Sequence, residues 1–77
     1  MDEMKLVDMI MSAARRYGIE PKVTIRRDPL VARCWLYSDG TKYQTTVTAD
    51  NSRLRHDIRN SMETLSTVAQ EPVPDRY

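Results

Sequence analysis

Leu30-Val31-Ala32-Arg33-Cys34-Trp35-Leu36-Tyr37-Ser38-Asp39-Gly40-Thr41-Lys42-Tyr43-Gln44-Thr45-Thr46-Val47-Thr48-Ala49 is the stretch on which the fold turns. Its two halves are rich in β-branched and aromatic residues, which suits strands. Between them stands Asp39-Gly40, a pair that tolerates positive φ at both central positions of a two-residue type I′ hairpin turn. Placing the turn there fixes the register. Leu36 then faces Tyr43, Cys34 faces Thr45 and Ala32 faces Val47 on one side of the ribbon. Trp35, Arg33 and Tyr37 meet Gln44, Thr46 and Lys42 on the other. Because strand side chains alternate between faces, the first side reads as core and the second as a polar, basic surface with two aromatics. Trp35, the only tryptophan, is expected on the exposed side.

Upstream of the hairpin, Asp2 can cap a helix running to about Tyr17, with Leu6, Ile10, Ala13, Ala14 and Tyr17 as its apolar stripe. Gly18 supplies a left-handed position after that helix, Ile19 its hydrophobic contact, and Pro21 prevents the helix from resuming. Lys22 to Arg27 alternates, with Val23 and Ile25 inward, until Asp28-Pro29 turns the chain. Downstream, Asp50, Asn51 and Ser52 are three candidate caps for a final helix whose stripe is Leu54, Ile58, Met62, Leu65 and Ala69. Residues 70–77 contain Pro72 and Pro74 without periodicity and read as a flexible C-terminal tail. The expectation is one α+β domain over residues 1–69. It is a two-layer sandwich in the order helix-strand-strand-strand-helix, with both helices on one face of a three-stranded antiparallel meander.

Composition narrows the function. Seventy-seven residues support one core and not two. A net charge of +1 offers no global attraction to nucleic acid or anionic lipid. The single cysteine, Cys34, rules out an intramolecular disulfide and fits a reducing compartment, and it reads as a small buried hydrophobe. No apolar run approaches the roughly 18 residues of a membrane helix, and the acidic start does not resemble a signal peptide, so a cytoplasmic setting is expected. Enzymatic readings are weak. The sole histidine, His56, excludes a site of several imidazoles, and Ser52 or Ser61 beside it lacks an orienting acid. Both glycines serve backbone geometry, which leaves no phosphate loop and no cofactor motif.

The element order resembles that of the double-stranded RNA-binding domain over residues 4–69. Ser52-Arg53-Leu54-Arg55-His56-Asp57 stands where that family carries a basic Lys-Lys-x-Ala-Lys signature, and Arg26-Arg27-Asp28-Pro29 stands where it carries a Gly-Pro and a histidine. The resemblance is one of topology, since the signature itself is lacking. It implies phosphate contacts from the start of the last helix.

Two binding surfaces follow. On the outer sheet face, Trp35, Tyr37, Arg33, Lys42 and Gln44 form a partner surface of the Trp, Tyr and Arg type that dominates protein hot spots, and the same aromatics could stack unpaired bases. At the final helix, Arg53, Arg55, His56 and Arg59, with Arg26 and Arg27, form a phosphate-binding candidate. The spacing also allows Arg53 to pair with Asp57, and Arg59 with Glu63, at i+4. The third strand, through Thr45-Thr46-Val47-Thr48, offers an edge to a second copy and hence a homodimer. The sequence thus points to a non-catalytic module that binds a protein partner, an accessory or inhibitory protein of the phage type. Nucleic-acid binding is the alternative.

Overall fold

Asp39 and Gly40 both adopt positive φ, 53° and 79°, the requirement of the type I′ turn. The computed structural model of the chain describes residues 1–70, and the expected tail beyond them lies outside the described residues. Five elements follow one another: α1 (Glu3–Arg16), β1 (Lys22–Arg26), β2 (Val31–Ser38), β3 (Thr41–Thr48) and α2 (Leu54–Gln70). Gln70 therefore closes the last helix instead of opening the tail. The strands form an antiparallel sheet in the order β1-β2-β3. Leu36↔Tyr43, Cys34↔Thr45, Ala32↔Val47, Trp35↔Gln44, Arg33↔Thr46 and Tyr37↔Lys42 are the register partners across the hairpin, as the turn dictates.

Local chemistry sets the ends of α1. The Asp2 carboxylate accepts from the Lys5 N–H at 2.7 Å and satisfies one donor of the first turn. At the other end Gly18 takes φ of 71°. The Gly18 N–H then donates to the Arg15 carbonyl at 3.1 Å, and the Ile19 N–H to the Ala14 carbonyl at 3.0 Å. This is a Schellman cap, and Ile19 goes into the core beside it. No heavy atom lies within 4 Å of where a Cβ would sit on Gly18. Gly18→Ala should therefore lose about 1 kcal/mol through backbone conformation alone. Gly18→Asn should recover part of that loss in a urea denaturation series, because Asn tolerates the left-handed region.

One apolar cluster joins the two layers. Leu6, Ile10 and Ala14 of α1, Ala32 and Cys34 of β2, Val47 of β3, and Leu54, Ile58, Met62 and Leu65 of α2 are buried in it together with Ile19. Val23 and Ile25 of β1 pack against its margin. Both helices therefore cover the same sheet face. Glu3 meets Arg27 in an ion pair at the β1–β2 turn, and α2 starts where β3 ends. Both helices accordingly begin at the same end of the sheet. That turn holds Asp28 at φ of 57° and a cis Asp28–Pro29 bond.

Three positions depart from the expected pattern. Strand β1 ends at Arg26, and its first residue, Lys22, pairs with Trp35. The hairpin tip from Leu36 to Tyr43 thus extends past the edge of β1, and Tyr43, expected in the core, is 36 % exposed. Ala69 shares the helical phase of the core stripe, yet it is exposed while Ser66 is buried. The last turn of α2 therefore reaches beyond the core. Finally, Trp35 lies on the outer face but is partly buried, with the Lys42 ammonium over its ring.

Candidate functional site

The register assembles the outer sheet face row by row. Lys22, Trp35 and Gln44 form one row, Thr24, Arg33 and Thr46 the next, and Arg26, Val31 and Thr48 the third. Tyr37 and Lys42 extend the face onto the hairpin tip. Trp35, Tyr37, Arg33, Lys42 and Gln44 are thus brought onto one surface. Tyr37 is 62 % exposed, and Arg33, Lys42 and Gln44 are exposed as well. The Lys42 ammonium lies 5.1 Å from the centroid of the Trp35 ring, within cation–π range. This contact fixes the ring against the sheet and covers part of it.

Charge on this face is of one sign. The strands contain no Asp or Glu, and their cations, Lys22, Arg26, Arg33 and Lys42, all point outward. Among the described residues no carboxylate pairs with any of them. Each sits directly across from a neutral residue: Lys22 from Trp35, Arg26 from Val31, Arg33 from Thr24 and Thr46, and Lys42 from Tyr37. The stagger avoids the direct like-charge pairing that destabilises sheets. Four cations within a few strand spacings still create a positive potential that the chain's net charge of +1 conceals.

The helix candidates occupy a different place. Arg55, His56 and Arg59 line a groove between α1 and α2 together with Lys5 and Arg16 of α1. Arg53 lies in the adjoining hollow with Met1 and Ser52. The i+4 ion pairs allowed by spacing are not formed. Asp57 instead accepts from the Asn51 side-chain amide at 2.8 Å, while the Asn51 side-chain oxygen Oδ1 receives the Arg53 backbone N–H at 2.8 Å. Asn51 is thus the residue that organises the start of α2. The remaining two candidates fall away from the patch: Arg26 belongs to the outer sheet face beside Arg33, and Arg27 is engaged by Glu3. That ion pair holds the Glu3 carboxyl below its usual range and raises the Arg27 guanidinium above its own. Lys5 and Arg16 were not singled out from sequence. Their signal was the stripe Lys5, Met9, Ser12, Arg16 on α1, a methionine between two cations and a serine, which gains meaning only when α2 is laid beside it.

Reactive groups are engaged elsewhere. The Asn60 amide donates to His56 Nε2 at 3.0 Å, and neither Ser52 nor Ser61 has a hydrogen bond to that ring. Among the described residues no cluster of His, Cys, Asp and Glu is arranged to hold a metal ion. Cys34 is fully buried, and burial pushes its thiol up to about 11, with the Thr45 hydroxyl across the strand pair working the other way. The Thr45 hydroxyl has no other partner and is itself buried. Native protein should therefore resist a thiol reagent such as iodoacetamide at neutral pH, and modification should appear only in urea. Rapid labelling of the folded chain would show that β2 opens readily.

No helix is long and apolar enough to cross a membrane among the described residues. Comparison with known proteins finds no matching family model, no similar curated protein and no similar solved structure.

Proposed function

We propose that this domain is a non-catalytic binding module whose outer sheet face docks an acidic surface of a protein partner. The observation that carries the reading is an exposed sheet face with four cations, Lys22, Arg26, Arg33 and Lys42, and, among the described residues, no carboxylate, around Trp35 and Tyr37. Aromatic side chains on a rigid sheet lose little rotamer entropy on binding, and arginines add charge-assisted hydrogen bonds, which makes both efficient anchors. The cations add steering toward an acidic surface and raise the association rate more than the final affinity. A module that acts by occupancy suits an accessory or inhibitory role, the kind small phage-encoded proteins fill. That part of the proposal rests on size and on the lack of a reaction motif.

A second reading has one observation in its favour. Trp35 and Tyr37 stand two residues apart on one face of β2, about 6.6 Å at the usual strand rise, and flanking cations could follow a single-stranded backbone. Against it, Lys42 already lies over the Trp35 ring, on a face that a base would need for stacking. Protein contact requires no such vacated ring and is preferred.

A photo-crosslinking amino acid tests the placement. Introduced at Thr24 or Gln44, both exposed beside Trp35, it should capture a protein in cell extract that is not removed by nuclease. Introduced at Thr64, exposed on α2, it should not capture that protein. Equal capture from both faces would remove the sheet from its assigned role, and adducts lost to nuclease would favour the single-strand reading.

A further inference from the structure

The groove between α1 and α2 faces away from the sheet's outer surface and has a chemistry of its own. Its volume is about 700 Å³, within the range of functional pockets. Met9 and Ala13 from α1 and Ile58 from α2 form its apolar floor. Lys5 and Arg16 stand along the α1 wall, and Arg55 and Arg59 along the α2 wall. Asp8 is the one carboxylate among the described lining residues. The acid that could have neutralised the α2 wall does not: no ion pair joins Arg59 to Glu63.

We infer that this groove is a second docking site, built to receive an acidic amphipathic helix of a partner protein. Lys5 and Arg16 are about 16 Å apart along α1 at the usual helical rise, a span of about three turns. A helix laid in the groove would set an apolar stripe on Met9, Ala13 and Ile58 and its flanking carboxylates against cations on both walls. This is the helix-in-groove mode of recognition, and Met9 gives the floor an adaptable side chain. Charge decides among occupants. A second copy presenting this same face would set arginine against arginine. A nucleic-acid backbone would satisfy the cations but leave the apolar floor without a partner. An acidic amphipathic helix satisfies both.

The inference does not rest on the sheet-face reading, because the two surfaces lie on opposite layers and Trp35 reports only on the other. The test is an amide NMR titration of the full chain with a synthetic helical peptide, Leu on one face and Glu on the flanks. Parallel titrations use its Lys-for-Glu counterpart and single- and double-stranded DNA oligonucleotides. The acidic peptide should shift the Met9, Ala13 and Ile58 amides saturably and leave the Trp35 indole N–H in place. Reversing charge on the α2 wall with R55E and R59E should weaken that binding by roughly tenfold or more. The exposed positions of both arginines should keep the fold, checked by circular dichroism. If that variant fails to fold, K5E with R16E on the opposite wall should give the same loss. The inference is overturned by an acidic peptide that causes no saturable shift in the groove, by equal binding of the Lys counterpart, or by a groove that answers DNA and not the acidic peptide.

Discussion

Leu65→Ala is expected to lower the unfolding free energy by about 2–5 kcal/mol, the largest stability loss anticipated from one side chain on α2. Leu65 is wholly shielded from solvent and belongs to the single cluster that joins α2 to the sheet. Removing three carbons forfeits their transfer free energy and leaves a cavity that the surroundings refill only in part. Met62, equally buried and one turn earlier, is flexible enough to lean into the space and moves the loss toward the lower end. Domains of this size have little stability in reserve, so the variant should be partly unfolded at physiological temperature. Urea denaturation followed by far-UV circular dichroism gives the number. Ala69→Ser, on the same phase of α2 but exposed, should stay within about 0.5 kcal/mol of wild type. A Leu65→Ala loss below about 1 kcal/mol, well under the range for a buried leucine, would mean that α2 is not seated on the sheet as described.

Trp35→Ala is expected to separate binding from folding. The side chain is half exposed on the outer face, and its visible contact is the Lys42 ammonium 5.1 Å from the ring centroid. Losing a cross-strand aromatic and an exposed cation–π contact should cost roughly 1–2 kcal/mol of stability. Partner affinity should fall by a factor of about 30 or more, the loss typical of a tryptophan hot spot. Arg33→Glu reverses charge in the next row, opposite Thr24 and Thr46, and should slow association most at low salt. A Trp35→Ala protein that unfolds outright would place the ring in the core instead.

The hairpin was legible because Asp39-Gly40 meets a demand on backbone angles that few pairs can meet, and alternation then assigns every side chain to a face. Asp2 and Gly18 were legible for the same reason, each supplying a group or conformation that a helix end requires. Ala69 and Tyr43 were misplaced because periodicity reports the phase of a residue and not where the opposing layer ends. The outer face was readable in its membership but not in its strength. Counting charge over the whole chain averages Lys22, Arg26, Arg33 and Lys42 with acids elsewhere in the sequence. The basic groove needed the tertiary fold, since Lys5 and Arg16 meet Arg55 and Arg59 only because both helices begin at the same end of the sheet.

Docking through the sheet face is tested by quantitative affinity capture from nuclease-treated extract with three baits: wild type, a sheet variant combining Trp35→Ala with Arg33→Glu, and the R55E and R59E groove variant. An acidic protein should be held by wild type and by the groove variant and lost from the sheet variant, with all three baits equally folded by circular dichroism. Retention of the same protein by the sheet variant would contradict docking through that face.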